Sequence, residues 1–272
     1  MALLCAVTET DFPAPPADRP GPKRRFSPLL LVMILLAVVG VGAGGYGFWT
    51  LLSYRMASVP GGGMAPTIQP GAVVLYRWTS LPEIPRGAVV LMEVSAFPDS
   101  SPADGRIVKR VIGVGGDRVV CCTQDNLITV NGKPVKEPYT EDDNGYGRKE
   151  YRPFSVQVPP GAVFVVGDQR NNSRDSRLYV GMPGDGAVPL SKVVGVVVGL
   201  GSVLAADPFP QTTAFVEAGL PGDPVSDTGF RTSRNLAFGG AGLVAVGVIG
   251  AIVLVVRSAG KRRRAAAIPP MR

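Results

Sequence analysis

Residues 106–117 read RIVKRVIGVGGD, and this stretch decides the fold class. Its first nine residues are apolar or glycine except for Arg106, Lys109 and Arg110, and a Gly-Gly-Asp turn follows. A run of this length, rich in β-branched residues and closed by a turn signal, predicts a buried strand. Alternation along that strand sends Lys109 and Arg110 to opposite faces. The stretch therefore predicts a β domain that contains a buried lysine.

Similar apolar runs on both sides predict further strands, separated by Gly, Pro, Asn and Asp. Asn131-Gly132 is a strong hairpin signal. The apolar run 193–206 is too short to cross a membrane, and its β-branched residues favour a buried strand. The predicted strands are 73–78, 88–94, 106–114, 117–122, 127–135, 155–168 and 192–200.

Two uncharged apolar runs frame this β region, at residues 26–52 and 235–256. About 20 apolar residues suffice to cross a bilayer as a helix. A cleavable signal peptide is the competing interpretation of the first run, but the run is longer than the usual apolar segment of such peptides. The second run also favours a permanent anchor. We therefore predict two transmembrane helices.

The formal net charge is +7, and basic residues cluster beside the apolar runs at 23–25 and 257–264. Basic residues that flank membrane spans lie mostly on the cytoplasmic side. This pattern predicts a multi-pass protein of the cytoplasmic membrane with both termini inside and the main domain outside the cell. It argues against a nucleic-acid-binding protein, although the chain is basic.

The composition divides the chain into further segments. Residues 1–25 are predicted to be a disordered cytoplasmic tail, and 257–272 a basic cytoplasmic tail. Residues 53–206 are predicted to form the β domain. Within it, the charged segment 138–153 is predicted to be an exposed loop. Residues 207–234, rich in Pro, Gly, Ser and Thr, are predicted to be a linker to the second span.

The chain has no histidine, which excludes a Ser-His-Asp triad, a Cys-His dyad and any histidine-ligated metal site. Of the three cysteines, Cys5 lies in the N-terminal tail, and the adjacent Cys121 and Cys122 have the wrong spacing for zinc. A vicinal disulfide is one interpretation of the pair. The favoured interpretation is that the two cysteines are unpaired and lie on opposite faces of a strand. No metal or other cofactor is predicted.

Four segments resemble, in the family's order, the sequence boxes of the type I signal peptidases. PGGGMAPTI (60–68) resembles the serine box S-x-S-M-x-P-T-L, and RGAVVL (86–91) resembles R-G-D-[IV]-V-V. VKRVIGVGGD (108–117) resembles the lysine box, K-R-[VA]-[IV]-G-x-x-G-D. GDQRNNSRDSR (167–177) resembles G-D-N-R-x-N-S-x-D-S-R. The resemblance covers about residues 53–206, directly after a span, and the two-span form is similar to actinobacterial members.

The resemblance implies a mainly β, extracytoplasmic domain of the signal-peptidase type between two transmembrane α-helices. It also implies a serine endopeptidase that removes signal peptides from exported preproteins with a Ser/Lys dyad. On this resemblance Lys109 is the general base, Ser173 orients it, and Gly61 stands at the oxyanion-hole position. A lysine can act as a base only if its surroundings lower its pKa toward the working pH.

Further residues take roles from the same resemblance. The fourth segment, residues 167–177, is called the last box below. We expect it to be held in place by a charged network of Arg110, Asp168, Arg170, Asp175 and Arg177. Small substrate pockets are expected from Val59, Pro60, Met64, Ile68, Ile107 and Val108. An extended signal-peptide end would pair with strand edges beside these pockets.

The chain departs from the family at Gly63, which occupies the position of the nucleophilic serine. Glycine has no hydroxyl group and cannot form an acyl-enzyme. Loss of a protease nucleophile lowers kcat by about six orders of magnitude. Rescue by Ser58 or Thr67, or by water activated directly by Lys109, is the alternative. A smaller departure is Ala88, where the family has an acidic residue.

The sequence therefore predicts a signal peptidase family protein that is inactive or severely impaired, a candidate pseudoenzyme. The alternative is a non-catalytic, membrane-anchored paralogue that binds preproteins or regulates an active peptidase. The expected partners are the signal peptides of exported preproteins and the cytoplasmic membrane, with an active signal peptidase as a further candidate.

Overall fold

The computed structural model of the protein describes residues 27–78, 84–100, 105–140, 152–222 and 227–266. The predicted tail at 1–25, most of the predicted loop at 138–153 and residues 267–272 lie outside this part of the chain. The described helices are α1 (Pro28–Leu51), the short α2 (Ala214–Glu217) and α3 (Gly229–Ala266). The body between α1 and α3 is mainly β, as predicted.

Twelve strands are described. They are β1 (Tyr54–Val59), β2 (Ala72–Trp78), β3 (Val89–Glu93), β4 (Arg106–Val114), β5 (Arg118–Cys121), β6 (Ile128–Val130), β7 (Lys133–Pro134), β8 (Phe154–Gln157), β9 (Ala162–Val166), β10 (Val188–Pro189), β11 (Val193–Leu200) and β12 (Asp207–Pro208). Short 3₁₀ turns lie at Val94–Ala96, Ser176–Tyr179 and Leu190–Lys192. Every predicted apolar run contributes to at least one strand, whereas β1, β10 and β12 were not predicted.

The larger sheet has the order β1-β2-β11-β3-β4-β9-β10, with β12 added beside β11, and all of its pairs are antiparallel. Strand β4 lies inside the sheet, where Lys109 pairs in register with Val90 and Arg110 with Val166. Both faces of β4 are buried. This position explains why the strand is apolar along most of its length.

The smaller antiparallel sheet has the order β7-β6-β5-β8. The predicted hairpin joins β6 to β7, and Asn131 and Gly132 both have positive φ (52° and 78°), as a tight two-residue turn requires. Apolar side chains of this sheet, such as Val119 and Ile128, pack with Phe164 of the larger sheet. The two sheets therefore share one core.

The favoured interpretation of the adjacent cysteines is wrong. Cys121 and Cys122 form a vicinal disulfide in this structure. Cys121 is the last residue of β5, so the pair closes the end of that strand instead of continuing it.

The segment 207–234, predicted to be a linker, contains short elements and buried side chains in its described part. Asp207 and Pro208 form β12, and the side chains of Phe209 and Phe215 are buried against the β domain. Helix α3 already begins at Gly229, before the predicted start of the span at 235. Gly and Pro content suggested a free chain, but the phenylalanines bury apolar surface that outweighs this tendency.

Helices α1 and α3 are long and apolar enough to cross a membrane, which supports a membrane protein with two spans. They pack together closely because glycines face the partner helix. A Cβ atom placed on Gly240 would lie 2.6 Å from the backbone oxygen of Gly40, and one on Gly47 would overlap the backbone at Ser233. The Thr50 hydroxyl also donates a hydrogen bond to Ser233 Oγ (2.8 Å). Small residues and interhelical hydrogen bonds are the usual means of helix association in lipid.

The start of α3 is fixed to the β domain through Asp227. Its carboxylate accepts hydrogen bonds from the backbone N–H of Gly229 (2.8 Å) and from the Tyr54 hydroxyl of β1 (2.9 Å). It also forms an ion pair with Arg77 of β2 (3.0 Å). Phe230 is fully buried with residues of the larger sheet. Strand β1 is thereby held at the junction between the spans and the sheet.

Gly240→Leu should separate the two apolar helices, because its side chain has no space between them. We expect the free energy of unfolding in detergent to fall by about 1–3 kcal/mol or more, the cost of an overpacked core. The measurement is denaturant unfolding followed by the fluorescence of Trp49, near the end of α1.

The matched control is Gly239→Leu, since no atom lies within 4 Å of a Cβ at Gly239. Equal effects of the two substitutions would contradict the helix pairing described here.

Candidate active site

A cleft of about 250 Å³ opens beside the larger sheet. One wall is residues 58–64, from the end of β1 into the following loop, and the other is the first half of β4, residues 106–109. Of the residues expected to bind substrate, five line the cleft: Val59, Pro60, Met64, Ile107 and Val108. Ile68 is not among the lining residues, and its side chain is fully buried in a core cluster that also contains Met64.

Lys109 reaches the cleft from the interior of β4. Only 5% of its surface is exposed. Its Nζ atom donates a hydrogen bond to the backbone oxygen of Val108 (3.0 Å). Burial lowers the pKa of this amine, while the charges of Asp175 and Asp168 act in the opposite direction without cancelling the effect. The environment therefore raises the fraction of neutral amine, the form that can accept a proton, relative to a free lysine.

Gly63 lies directly against this amine. A Cβ atom placed on Gly63 would be 3.3 Å from Lys109 Nζ, 3.6 Å from Ser173 Oγ and 3.3 Å from the backbone oxygen of Asn172. The serine box, the lysine box and the last box therefore converge on one point. The structure brings together the three residues to which the resemblance assigns the nucleophile position, the base and its orienting hydroxyl.

Ser173 does not make the predicted hydrogen bond to Lys109 in this structure. Its Oγ atom is enclosed and, among the described residues, has no hydrogen-bond partner of good geometry. The hydroxyl nevertheless lies close enough to Asp175 to help lower the pKa of that carboxyl. Because Lys109 donates to its own strand instead, an orienting role for Ser173 requires a small rotation of one of the two side chains.

Gly167 allows the last box to approach the serine box. A Cβ atom at this position would overlap both Ser173 and the backbone oxygen of Gly63. Nearby, the backbone N–H of Gln169 donates to the same Gly63 oxygen (3.2 Å). Only glycine fits here, so residue 167 sets the distance between the two segments.

A buried ion pair joins the lysine box to the last box. Arg110 Nε and Nη2 bind both carboxylate oxygens of Asp168 at 2.8 and 2.6 Å, and the two side chains are 1% and 0% exposed. Arg110 also donates to the backbone oxygen of Gly87 (2.9 Å). All three guanidinium nitrogens and both carboxylate oxygens of the pair therefore have a hydrogen-bond partner, as buried charges require.

A second pair organises the chain around Ser173. Arg177 binds the Asp175 carboxylate through Nε and Nη2, both at 2.8 Å, and the backbone N–H of Gly167 donates to the same carboxylate (3.0 Å). Burial raises the pKa of Asp175, but the hydrogen bonds and charge of Arg177 outweigh it and leave the pKa below its usual value. Asp175 therefore stays ionised.

Arg170 binds a partner that the sequence analysis missed. Its two terminal nitrogens contact the Glu137 carboxylate at 2.6 Å each, and Tyr139 donates to Glu137 (2.8 Å) while its ring lies 3.9 Å from the Arg110 guanidinium. Glu137 and Tyr139 are thus part of the charged network, so Tyr139, inside the predicted exposed loop, packs against the site. The sequence contained a clue to this partner. The predicted network has three arginines but only two aspartates, so one arginine needed a further carboxylate.

The two hydroxyls considered as substitute nucleophiles lie in different settings. Thr67 Oγ1 donates to Asp168 Oδ2 (2.6 Å), on the network side. Ser58 lines the cleft but is exposed on β1. Neither hydroxyl is hydrogen-bonded to Lys109 in the described part of the chain.

No group of three or more His, Cys, Asp or Glu side chains within the described ranges could hold a metal ion. The groups that line the cleft include the amine of Lys109 and the hydroxyl of Ser58. Gly61 lines the cleft with free space around it, so its backbone is accessible to a bound ligand.

Known proteins similar to this chain indicate its family. Residues 27–200 match the family model described as Signal peptidase, peptidase S26. The chain is 31% identical over 237 residues to "Signal peptidase I" of Mycobacterium tuberculosis, covering 70% of this chain and 78% of the relative. It is 32% identical over 152 residues to "Signal peptidase I U" of Bacillus subtilis, covering 50% of this chain and 71% of that one.

Among solved structures, a signal peptidase I from Enterococcus faecalis matches with 27% identity and a TM-score of 0.33, covering 43% of this chain and 98% of that one. The match of the family model to well over half of the chain, together with the mycobacterial relative, identifies the protein as a member of the signal peptidase I family, peptidase S26.

Proposed function

We propose that this chain holds the cut-site region of preprotein signal peptides in its cleft and does not cleave them at a physiological rate. The observation that carries the proposal is the convergence on Gly63. A side chain at this position would meet the Lys109 amine at 3.3 Å, yet residue 63 has no side chain. In this proposal Lys109 has the position and the lowered pKa of a general base but has no hydroxyl to deprotonate.

Neither Thr67 nor Ser58 is well placed to replace the missing serine hydroxyl. Thr67 is hydrogen-bonded to Asp168, so moving it toward the cleft would break a contact inside the charged network. Ser58 lies five residues before Gly63, and a displacement of even 1 Å from the productive geometry can cost a hundredfold in rate. Lys109 could in principle activate a water molecule, but water lacks the fixed position of a covalently attached nucleophile.

The proposal includes the orientation in the membrane. Lys261 and Arg263 lie near the end of α3 that is remote from the β domain. Because basic residues beside a span favour the cytoplasmic side, both termini are inside the cell and the cleft is outside. The cleft then lies on the side of the membrane to which exported proteins are delivered.

Gly63→Ser should create peptidase activity where the native chain has none above background. The backbone at Gly63 needs no positive φ, and the neighbouring atoms need move only a few tenths of an ångström to admit a Cβ. We expect a gain of at least about a thousandfold in cleavage, since loss of such a nucleophile costs about a millionfold. The measurement uses purified protein in detergent and a preprotein with an Ala-x-Ala site.

The matched control is Gly62→Ser, because a Cβ at Gly62 would meet Pro70 at 3.5 Å, and Lys109 is not among its nearest contacts. This variant should stay inactive. Cleavage by the native chain that is lost in Lys109→Ala would refute the proposal, and so would an inactive but folded Gly63→Ser variant.

The activity of Gly63→Ser should rise with pH through the lowered pKa of Lys109. The neutral amine is the form that accepts the serine proton, so the rate follows its fraction. Because burial lowers this pKa, the midpoint of the rise should lie below the ordinary pKa of lysine. The pH dependence of kcat/KM measures it, and Lys109→Met in the same variant is the inactive control. A midpoint at the ordinary lysine value would contradict the assigned role.

Protease added to intact spheroplasts should digest the β domain but spare an epitope fused after residue 272. The reason is that the domain lies outside and the C-terminus inside the cell in the proposed orientation. Immunoblotting for the epitope should show a fragment slightly longer than α3, and permeabilised cells should lose it. Loss of the epitope in intact spheroplasts would mean that the orientation is reversed.

A further inference from the structure

An apolar groove of about 700 Å³ lies where the two spans meet the β domain. Its walls come from four parts of the chain: the end of α1, the first residues of β1, the loop after β11 and the early part of α3. Several of the lining side chains are more than half exposed, among them Phe48, Leu52, Met56, Leu204 and Phe238. An open apolar surface of this kind marks a site of interaction with an apolar ligand.

Strand β1 connects this groove to the cleft. Residues 54–56 line the groove, and Ser58 and Val59, further along the same strand, line the cleft. Since a strand rises about 3.3 Å per residue, the two cavities are only about 7 Å apart along β1 between Met56 and Ser58. The groove and the cleft can therefore be reached by one extended chain.

The outer side of β1 is free to receive such a chain. Among the described strands, β1 lies at the edge of the larger sheet and pairs with β2. Half of its backbone N–H and C=O groups therefore face away from the sheet, which is the arrangement used for strand addition. An added peptide would pass from the groove to the cleft without leaving the sheet edge.

The direction of β1 matches that of a signal peptide. The strand begins three residues after α1 ends and runs from the junction with the spans toward Gly63. A signal peptide has an apolar segment of about 7–15 residues, followed by the small residues of its cleavage site. A peptide lying parallel to β1 would place its cleavage site in the cleft and its apolar segment at the groove.

We infer that the groove binds the apolar segment of the same signal peptide whose cut site occupies the cleft, an inference that rests on the proposed function. A phospholipid acyl chain is the competing occupant. The continuity of groove, edge strand and cleft favours the peptide, because the binding of an acyl chain does not require the groove to be aligned with the cleft. Two-point attachment lets the chain retain a preprotein that it does not cut.

The experiment is photocross-linking in phospholipid vesicles with full-length protein that carries a photoreactive amino acid at one position. Leu204 probes the groove, Ile107 probes the cleft, and Val246, exposed on α3 outside the groove, is the control. The ligand is a radiolabelled preprotein with an Ala-x-Ala site. A second preprotein carries two aspartates in its apolar segment.

We expect the first preprotein to cross-link at both Leu204 and Ile107 and to give little product at Val246. The aspartate-containing preprotein should lose at least about 80% of the Leu204 product, since charges are excluded from apolar sites. Cross-links at Ile107 without any at Leu204, or only phospholipid adducts at Leu204, would overturn this inference and leave the proposed function intact. Absence of preprotein cross-links at Ile107 as well would refute the proposed function itself.

Filling the groove provides an independent test. Ala241 lines the groove and is exposed, so Ala241→Trp should occupy the space without disturbing the helix pair. Preprotein cross-linking at Ile107 should then fall about fivefold to tenfold, because one of the two contacts is lost. Ala245→Trp, one helical turn further along α3 and also exposed, should leave it unchanged. Equal yields from the two tryptophan variants would overturn the inference.

Discussion

The ion pair between Arg110 and Asp168 is the constraint on which the site depends. Two charged groups are removed from water almost completely, and they are held by two hydrogen bonds to each other and by further bonds to Gly87 and Thr67. Removal of one partner from such a pair typically costs about 3–5 kcal/mol, because the other charge stays buried. The pair therefore fixes the register of β4 against the chain that follows β9.

Fixing Arg110 also determines the surroundings of Lys109. Neighbouring residues of a strand point to opposite faces, so once Arg110 faces Asp168, the lysine must face the cleft. Within the described ranges no carboxylate forms an ion pair with its amine, and the hydrogen bond to Val108 serves a neutral amine as well as a charged one. Asp168 and Asp175 are each paired with an arginine instead. Burial, rather than the nearby aspartates, therefore decides the direction of the pKa shift of Lys109.

The sequence predicted the parts of the fold that local patterns control. The bounds of β4 and the turn at Asn131-Gly132 were right, because alternation and turn chemistry act over a few residues. Contacts between residues far apart in the sequence could not be predicted from local patterns. The carboxylate that Arg170 needs lies 33 residues earlier in the chain, at Glu137, and Phe209 and Phe215 fold back onto the sheet from a segment whose composition resembles a linker. The resemblance expects Ile68 to line the substrate pocket, and the structure buries its side chain in the same core cluster as Met64.

The structure requires glycine at position 167 but not at position 63. At Gly167 a single added carbon would overlap Ser173 and the Gly63 backbone, so the fold demands glycine there. At Gly63 the backbone has no conformation reserved for glycine, and the space next to the Lys109 amine would admit a side chain after small shifts. The architecture of the cleft therefore gives no physical reason for the absence of a side chain at position 63. The absence changes what the cleft can do chemically, while the buried amine, the ion pairs and the close approach at Gly167 stay assembled around it.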